Sequence, residues 1–203
     1  MKKVIGITGG IGSGKSTVTE YLLSKDNIII DADEISRDAV AVGEPILKEL
    51  VSVFGEDILQ EDGALNRKAL AARTFAEEEK TAQLNAIMHK EIKRRIDERL
   101  MELYDEPVVY LSAPLLFEAK LQLKCDEIWV VSADDDLRVR RTVLRDGVTE
   151  EDVRARMACQ LSEEQRRRGA DVIIENNGTT EELLAKIDSL LIKEYDFLTS
   201  FFY

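Results

Sequence analysis

The run Gly9-Gly10-Ile11-Gly12-Ser13-Gly14-Lys15-Ser16 sets a lysine and a hydroxyl directly behind a cluster of glycines. Its spacing, Gly-x-x-x-x-Gly-Lys-Ser, is what a phosphate cradle requires. Glycines let backbone N–H groups turn inward around phosphate oxygens, where a side chain would collide. A lysine at this place reaches the β- and γ-phosphates, and the serine hydroxyl ligates Mg²⁺. The candidate nucleotide contacts are therefore Gly12, Ser13, Gly14, Lys15, Ser16 and Thr17, with Ser16 as the candidate metal ligand. Chance would supply the pattern on the order of 1% of the time in such a chain. These residues imply binding of a nucleoside triphosphate.

Two further groups could act on that nucleotide. Asp31 and Asp33 follow the short apolar run Ile28–Ile30. Two residues apart, they share a face if the extended conformation persists. One would then hold a water on Mg²⁺ while the other orients an acceptor hydroxyl; an Asx turn is the competing reading. The second group is basic. Residues 134–168 hold nine of the fifteen arginines, no lysine and nine acids. Guanidinium groups bind phosphate in bidentate fashion, and arginines brought in by a flap stabilise transferring charge while excluding water. Arg141 and Arg145 are four apart and so neighbours on a helix, but Arg138 shares that face, and the spacing does not choose among them.

The elements that must position these groups are short. Apolar runs at Val4–Thr8, Ile28–Ile30, Val108–Leu111, Ile128–Val131 and Val172–Ile174 lack clean alternation, as in parallel strands covered on both faces. Val18, Tyr21 and Leu22 recur at helical spacing after the glycine loop. Strand carboxyl ends in such a sheet converge on the ligand crevice, which would bring the aspartates beside the loop. Leu84, Ile87, Met88, Ile92, Ile96, Leu100 and Leu103 form one stripe of a long helix. The expectation is an α/β P-loop NTPase core with a five-stranded parallel sheet flanked by helices. Residues 1–33, 106–133 and 169–203 form the nucleotide-binding core, 34–105 a helical substrate-binding insertion and 134–168 an Arg-rich helical lid.

Composition narrows the function. Of 203 residues, 28 are Lys or Arg against 40 Asp or Glu, a net charge of −12 that disfavours nucleic-acid and anionic-membrane partners. No stretch approaches the roughly 20 apolar residues of a membrane span. Met-Lys-Lys leading into a strand is not a secretory signal, so a cytoplasmic protein is expected. Cys125 and Cys159 are far apart, without a CxxC pair, and read as two buried thiols rather than a disulfide or zinc site. Neither Asn-Lys-x-Asp nor Asp-x-x-Gly occurs, which excludes a GTPase. Nothing in the pattern gives an oligomeric state.

In this order the motifs resemble the dephospho-CoA kinases, over roughly Ile5 to Leu190. The resemblance rests on Thr8–Ser16; on Ile30-Asp31-Ala32-Asp33 with Arg37; on Phe54-Gly55 and Asp62-Gly63-x-Leu65-x-Arg67; and on Leu84-Asn85 with His89. It continues through Pro114-Leu115-Leu116-Phe117-Glu118, Arg141-x-x-x-Arg145-Asp146, Gln160, and Ala170-Asp171 leading to Asn176-Asn177-Gly178. It implies transfer of the ATP γ-phosphate to the ribose 3′-hydroxyl of dephospho-CoA, with Mg²⁺. Asp33 would be the acceptor-side base, and Lys15 and Arg141 would stabilise the transferring charge. Arg37 and Pro114, Leu115, Leu116, Phe117 and Glu118 would shape the acceptor site, while Asn176 and Asn177 either border the adenine or form a turn. The sequence departs from the family pattern at His89-Lys90, where the family has proline; lysine lets the long helix continue. His89 reads as a helix-surface or hydrogen-bonding residue, and the aromatic tail (Tyr195, Phe197, Phe201, Phe202, Tyr203) as the end of a packing helix.

Overall fold

A computed structural model describes residues 2–74 and 77–199, the last five of these by backbone alone. The aromatic side chains of the tail lie outside the described residues. Five strands form a parallel sheet in the order β2-β3-β1-β4-β5. They are β1 (Lys3–Gly9), β2 (Ile29–Asp31), β3 (Val108–Ser112), β4 (Glu127–Ser132) and β5 (Val172–Glu175). Val4 of β1 lies opposite Val109 of β3, and Gly6 opposite Ile128 of β4. The first strand is thus the centre of the sheet, with β3 on one side and β4 on the other. Chain order reverses there, and the crevice at the carboxyl end of such a strand is where α/β sheets bind ligands.

Contacts divide the chain into two compact units, Met1–Ile30 with Leu103–Tyr203, and Asp31–Glu102. In the first unit, helix α1 (Lys15–Ser24) leaves the glycine loop, and α9 (Thr180–Thr199) follows β5. Ile5, Ile7, Val18, Leu22, Trp129, Val131, Ile174, Leu183 and Ile187 are buried together, so both faces of the central strands are apolar and the runs do not alternate. Tyr110 and Trp129 meet edge to face at 5.5 Å between ring centres. Between β4 and β5 come α6 (Asp135–Asp146), α7 (Glu150–Ala158) and α8 (Glu163–Arg168), and contacts keep them in the same unit as the sheet. Thr149 with Asp152 and Ser162 with Gln165 form reciprocal capping boxes that start α7 and α8.

The second unit is helical: α2 (Ala32–Asp38), α3 (Pro45–Phe54), α4 (Arg67–Thr74) and the long α5 (Glu78–Glu102). Val40, Ile46, Leu50, Phe54, Ile58 and Leu70 are its core, and Leu84, Ile87 and Met88 of the α5 stripe pack against it. Helix α5 runs through His89-Lys90 without a break. Its half-buried Glu91 accepts from Arg94 and Arg95; these pairs hold its carboxyl down at about 2.

Candidate active site

The glycine loop is fixed by its own backbone and by side chains distant in sequence. Gly9 closes β1, and Ser13 N–H donates to Gly10 C=O at 3.0 Å. Gly12 and Gly14 sit at φ +73° and +96°, the left-handed region in which an L side chain is strained. Gly14 is the residue from which α1 springs, so the helix presents its positive end at the loop. The glycines answer to protein atoms as well as to a ligand. A methyl group on Gly10 would lie 2.8 Å from Arg138 Cζ, and one on Gly12 would lie 2.7 Å from Thr142 Oγ1. At Gly14 it would fall on the Asn176 carboxamide.

Three side chains hold the loop from outside. Arg138 Nε donates to Ile11 C=O at 2.9 Å, Gln160 Oε1 accepts from Ile11 N–H at 3.1 Å, and Asn176 Nδ2 donates to Ser13 C=O at 2.8 Å. The Lys15 ammonium donates to Ser112 Oγ at 2.7 Å, which places it at the carboxyl end of β3. Ser112 also leads to the turn Pro114–Glu118. There Thr8 Oγ1 donates to Pro114 C=O, Leu116 is fully buried and Leu115 is exposed. Phe117 packs against Gly169, and Glu118 Oε1 accepts from Leu161 N–H at 3.3 Å.

The three arginines of α6 that spacing leaves equivalent occupy different surroundings. Arg138 is 3% exposed and, besides Ile11, bonds Asp135 at 2.9 Å. Arg141 is half-buried, and its Nη1 donates to Asn176 C=O at 2.9 Å; Asn176 thus joins it to the loop through Ser13. Arg145 is exposed and paired with its neighbour Asp146. Among them Arg141 combines nearness to the loop with a partly open guanidinium. This arrangement can surround a polyphosphate with backbone N–H groups, one ammonium and one guanidinium.

A sequence model of the dephospho-CoA kinase family matches residues 3–182. The chain belongs to that family. It is 47% identical to a Corynebacterium glutamicum protein named dephospho-CoA kinase over 189 residues, 92% of this chain and 94% of that one. A Thermus thermophilus crystal structure, 36% identical, superposes with a TM-score of 0.83 and covers 95% of this chain and 97% of its own. The dephospho-CoA kinase from Campylobacter jejuni superposes with a TM-score of 0.73 at 25% identity, with the same coverage.

Family membership makes the chain a kinase with ATP as phosphoryl donor. The extended pairing of Asp31 and Asp33 does not occur. Asp31 ends β2 and caps α2, its Oδ1 accepting from Asp33 N–H at 2.8 Å and Glu34 N–H at 3.1 Å, so Asp33 stands in the first helical turn. Capping chemistry turns the backbone before extension can carry through. Arg37 is in the last turn of the same helix. Asn177, in the bend after β5, bonds the Asp134 backbone and carboxylate after β4, while Asn176 braces the loop. Cys159, expected buried, is exposed, because α7 stops at Ala158 and leaves it in the connection to α8. Cys125 is half-buried, and burial pushes its thiol up to about 12. His89 is half-buried, and burial lowers its pKa.

Gln160 and Asn176 stand among the motifs that carry the family resemblance, but nothing in their spacing, or in that of Arg138, says that they would turn inward to brace the loop.

Proposed function

We propose that this chain transfers the γ-phosphoryl group of ATP to the ribose 3′-hydroxyl of dephospho-CoA, giving coenzyme A and ADP. The observation that carries the proposal is the braced loop, with the Lys15 ammonium held at its mouth by Ser112. Dephospho-CoA as acceptor follows from the family and from the names of the relatives. In the reaction the ribose 3′-oxygen bonds to the γ-phosphorus, the bond from that phosphorus to the bridging oxygen of ADP breaks, and the hydroxyl proton passes to Asp33. With a loose transition state, the Asp33 carboxylate chiefly orients the hydroxyl. Lys15 and Arg141 meet the charge spread over the transferring oxygens. Arg37 and the Pro114–Glu118 turn, with Leu115 exposed on it, serve the acceptor.

Mg²⁺ fits the residues present. Ser16 offers a hard hydroxyl oxygen directly after Lys15 at the start of α1. A single hydroxyl suits Mg²⁺ beside a nucleotide, where few protein ligands are needed and phosphate oxygens and water supply the remainder. When bound, the ion neutralises charge on the β- and γ-phosphates; the chain's residues bind, orient and accept the proton. Helices α6–α8 contribute Arg141 and close the phosphate side against water. Among the described residues no helix is long and apolar enough to cross a membrane.

The test is ADP formation with Mg²⁺·ATP and, in turn, dephospho-CoA, adenosine and AMP, with the product mass recorded. One phosphate gained by dephospho-CoA, in strong preference to the others, is expected. Turnover only with adenosine or AMP would reassign the acceptor, and no transfer at all would leave an ATP-binding regulatory protein.

A further inference from the structure

The segment Gln160–Leu161 touches both functional parts of the first unit. Gln160 Oε1 accepts from Ile11 N–H in the phosphate loop at 3.1 Å, and also from Arg166 Nη2 at 3.3 Å. The next residue, Leu161, donates its N–H to Glu118 Oε1 at the end of the Pro114–Glu118 turn. Arg166 is 1% exposed. It is paired with Glu163 at 3.5 Å, feels the charge of Glu118 and packs its guanidinium beside Gly10. Glu118 Oε2 is buried without a hydrogen bond. Burial lowers the pKa of Arg166, while Glu163 and Glu118 act against that shift.

A loop that must hold its N–H groups around phosphates loses affinity when one of its backbone groups is released. Ile11 is fastened at both backbone ends, its C=O by Arg138 and its N–H by Gln160. The first anchor sits on α6, and the second on the short connection between α7 and α8 that also carries the Glu118 contact. A shift of the Pro114–Glu118 turn therefore reaches the loop through two adjacent residues.

We propose that Gln160 is a positioning residue for the phosphate loop, and that Glu118, through Leu161, ties the loop's ATP affinity to the conformation of the Pro114–Glu118 turn. Glu118 on this account acts inward, on Arg166 and Leu161. The proposal rests on the reading that the loop binds ATP.

The test is calorimetric titration of Mg²⁺·ATP into the full chain without acceptor, alongside steady-state kinetics and thermal melting. Gln160→Met keeps the volume and removes the carboxamide acceptor. ATP binding should weaken about tenfold, the loss of one partly buried hydrogen bond, with kcat at saturating ATP within about threefold of wild type. Gln160→Glu, which keeps the acceptor and faces Arg166, should restore affinity to within about threefold. Glu118→Met, which removes the oxygen that accepts from Leu161 N–H, should weaken ATP binding about threefold although it lies outside the loop. Combined with Gln160→Met it should add less than its separate effect, because the two act through one strut. Wild-type affinity in Gln160→Met or in Glu118→Met, equal losses in Gln160→Met and Gln160→Glu, or a Glu118→Met effect confined to the acceptor KM would overturn the proposal. Should Gln160→Met fail to fold, Glu118→Met decides by the same titration. Failure of the wild-type chain to bind ATP would instead remove the underlying reading.

Discussion

The phosphate loop and the Asp31–Asp33 turn are both short segments that leave a strand, yet they are held in opposite ways. Arg138, Gln160 and Asn176 reach the loop from 127, 149 and 163 positions away in sequence. The aspartate turn is held locally, by one Asp31 oxygen accepting from the two backbone N–H groups that follow. The first arrangement makes a stiff cradle whose geometry depends on the sheet and on α6–α9. The second is a helix cap that leaves the Asp33 carboxylate at the start of α2. On the proposed reaction, the braced loop would serve the ATP side and Asp33 the acceptor hydroxyl.

Substitutions should expose that division. The largest effect belongs to Lys15→Ala, which removes the ammonium at Ser112; kcat/KM should fall by at least about a hundredfold with little change in thermal stability. A thermal loss of comparable weight would make Lys15 a structural residue. Gly12→Ala comes next. It forces an L side chain into φ +73° against Arg138 and Thr142, so both the melting temperature and ATP affinity should drop, by a few kcal/mol of stability. Stability without a loss of ATP affinity would separate the loop's packing from its function.

Arg138 and Arg141 sharpen the comparison within α6. Arg141→Ala should slow single-turnover transfer about tenfold or more while barely moving the melting temperature. Arg138→Ala strips the partners from Ile11 C=O and Glu163 in a buried setting, and should destabilise by about 2 kcal/mol. Equal kinetic losses would remove the basis for choosing Arg141. The smallest effect is Asp31→Ala, which should cost about 1 kcal/mol through loss of the α2 cap, whereas Asp31→Ser keeps most of it. Thermal melts of the pair check this; equal melting temperatures would mean the cap contributes nothing.

How much of this was legible in the sequence depends on the range of the interactions. The five strands, α1 and α5 follow from apolar runs and one stripe, and the loop's identity from glycine and lysine spacing. The capping boxes of α7 and α8 are written in Thr149-x-x-Asp152 and Ser162-x-x-Gln165, and they explain why Cys159 falls in an exposed connection. The start of α2 was less readable, because strand extension and Asx capping compete at Asp31 and only the second satisfies two backbone donors at once. The burial of Arg138 and Arg166 had no local signal. An arginine on a helix normally faces water, and these are drawn inward by the Ile11 carbonyl, Gln160 and the charge of Glu118, which the fold brings near, beside Asp135 and Glu163 one turn away on their own helices.

The most direct test of the division between donor and acceptor sides is Asp33→Asn, measured by single-turnover phosphoryl transfer to dephospho-CoA and by titration with Mg²⁺·ATP. The account predicts a transfer rate lower by at least about tenfold with the ATP dissociation constant within about twofold of wild type. A collapse of ATP affinity would move Asp33 to the metal side and contradict it.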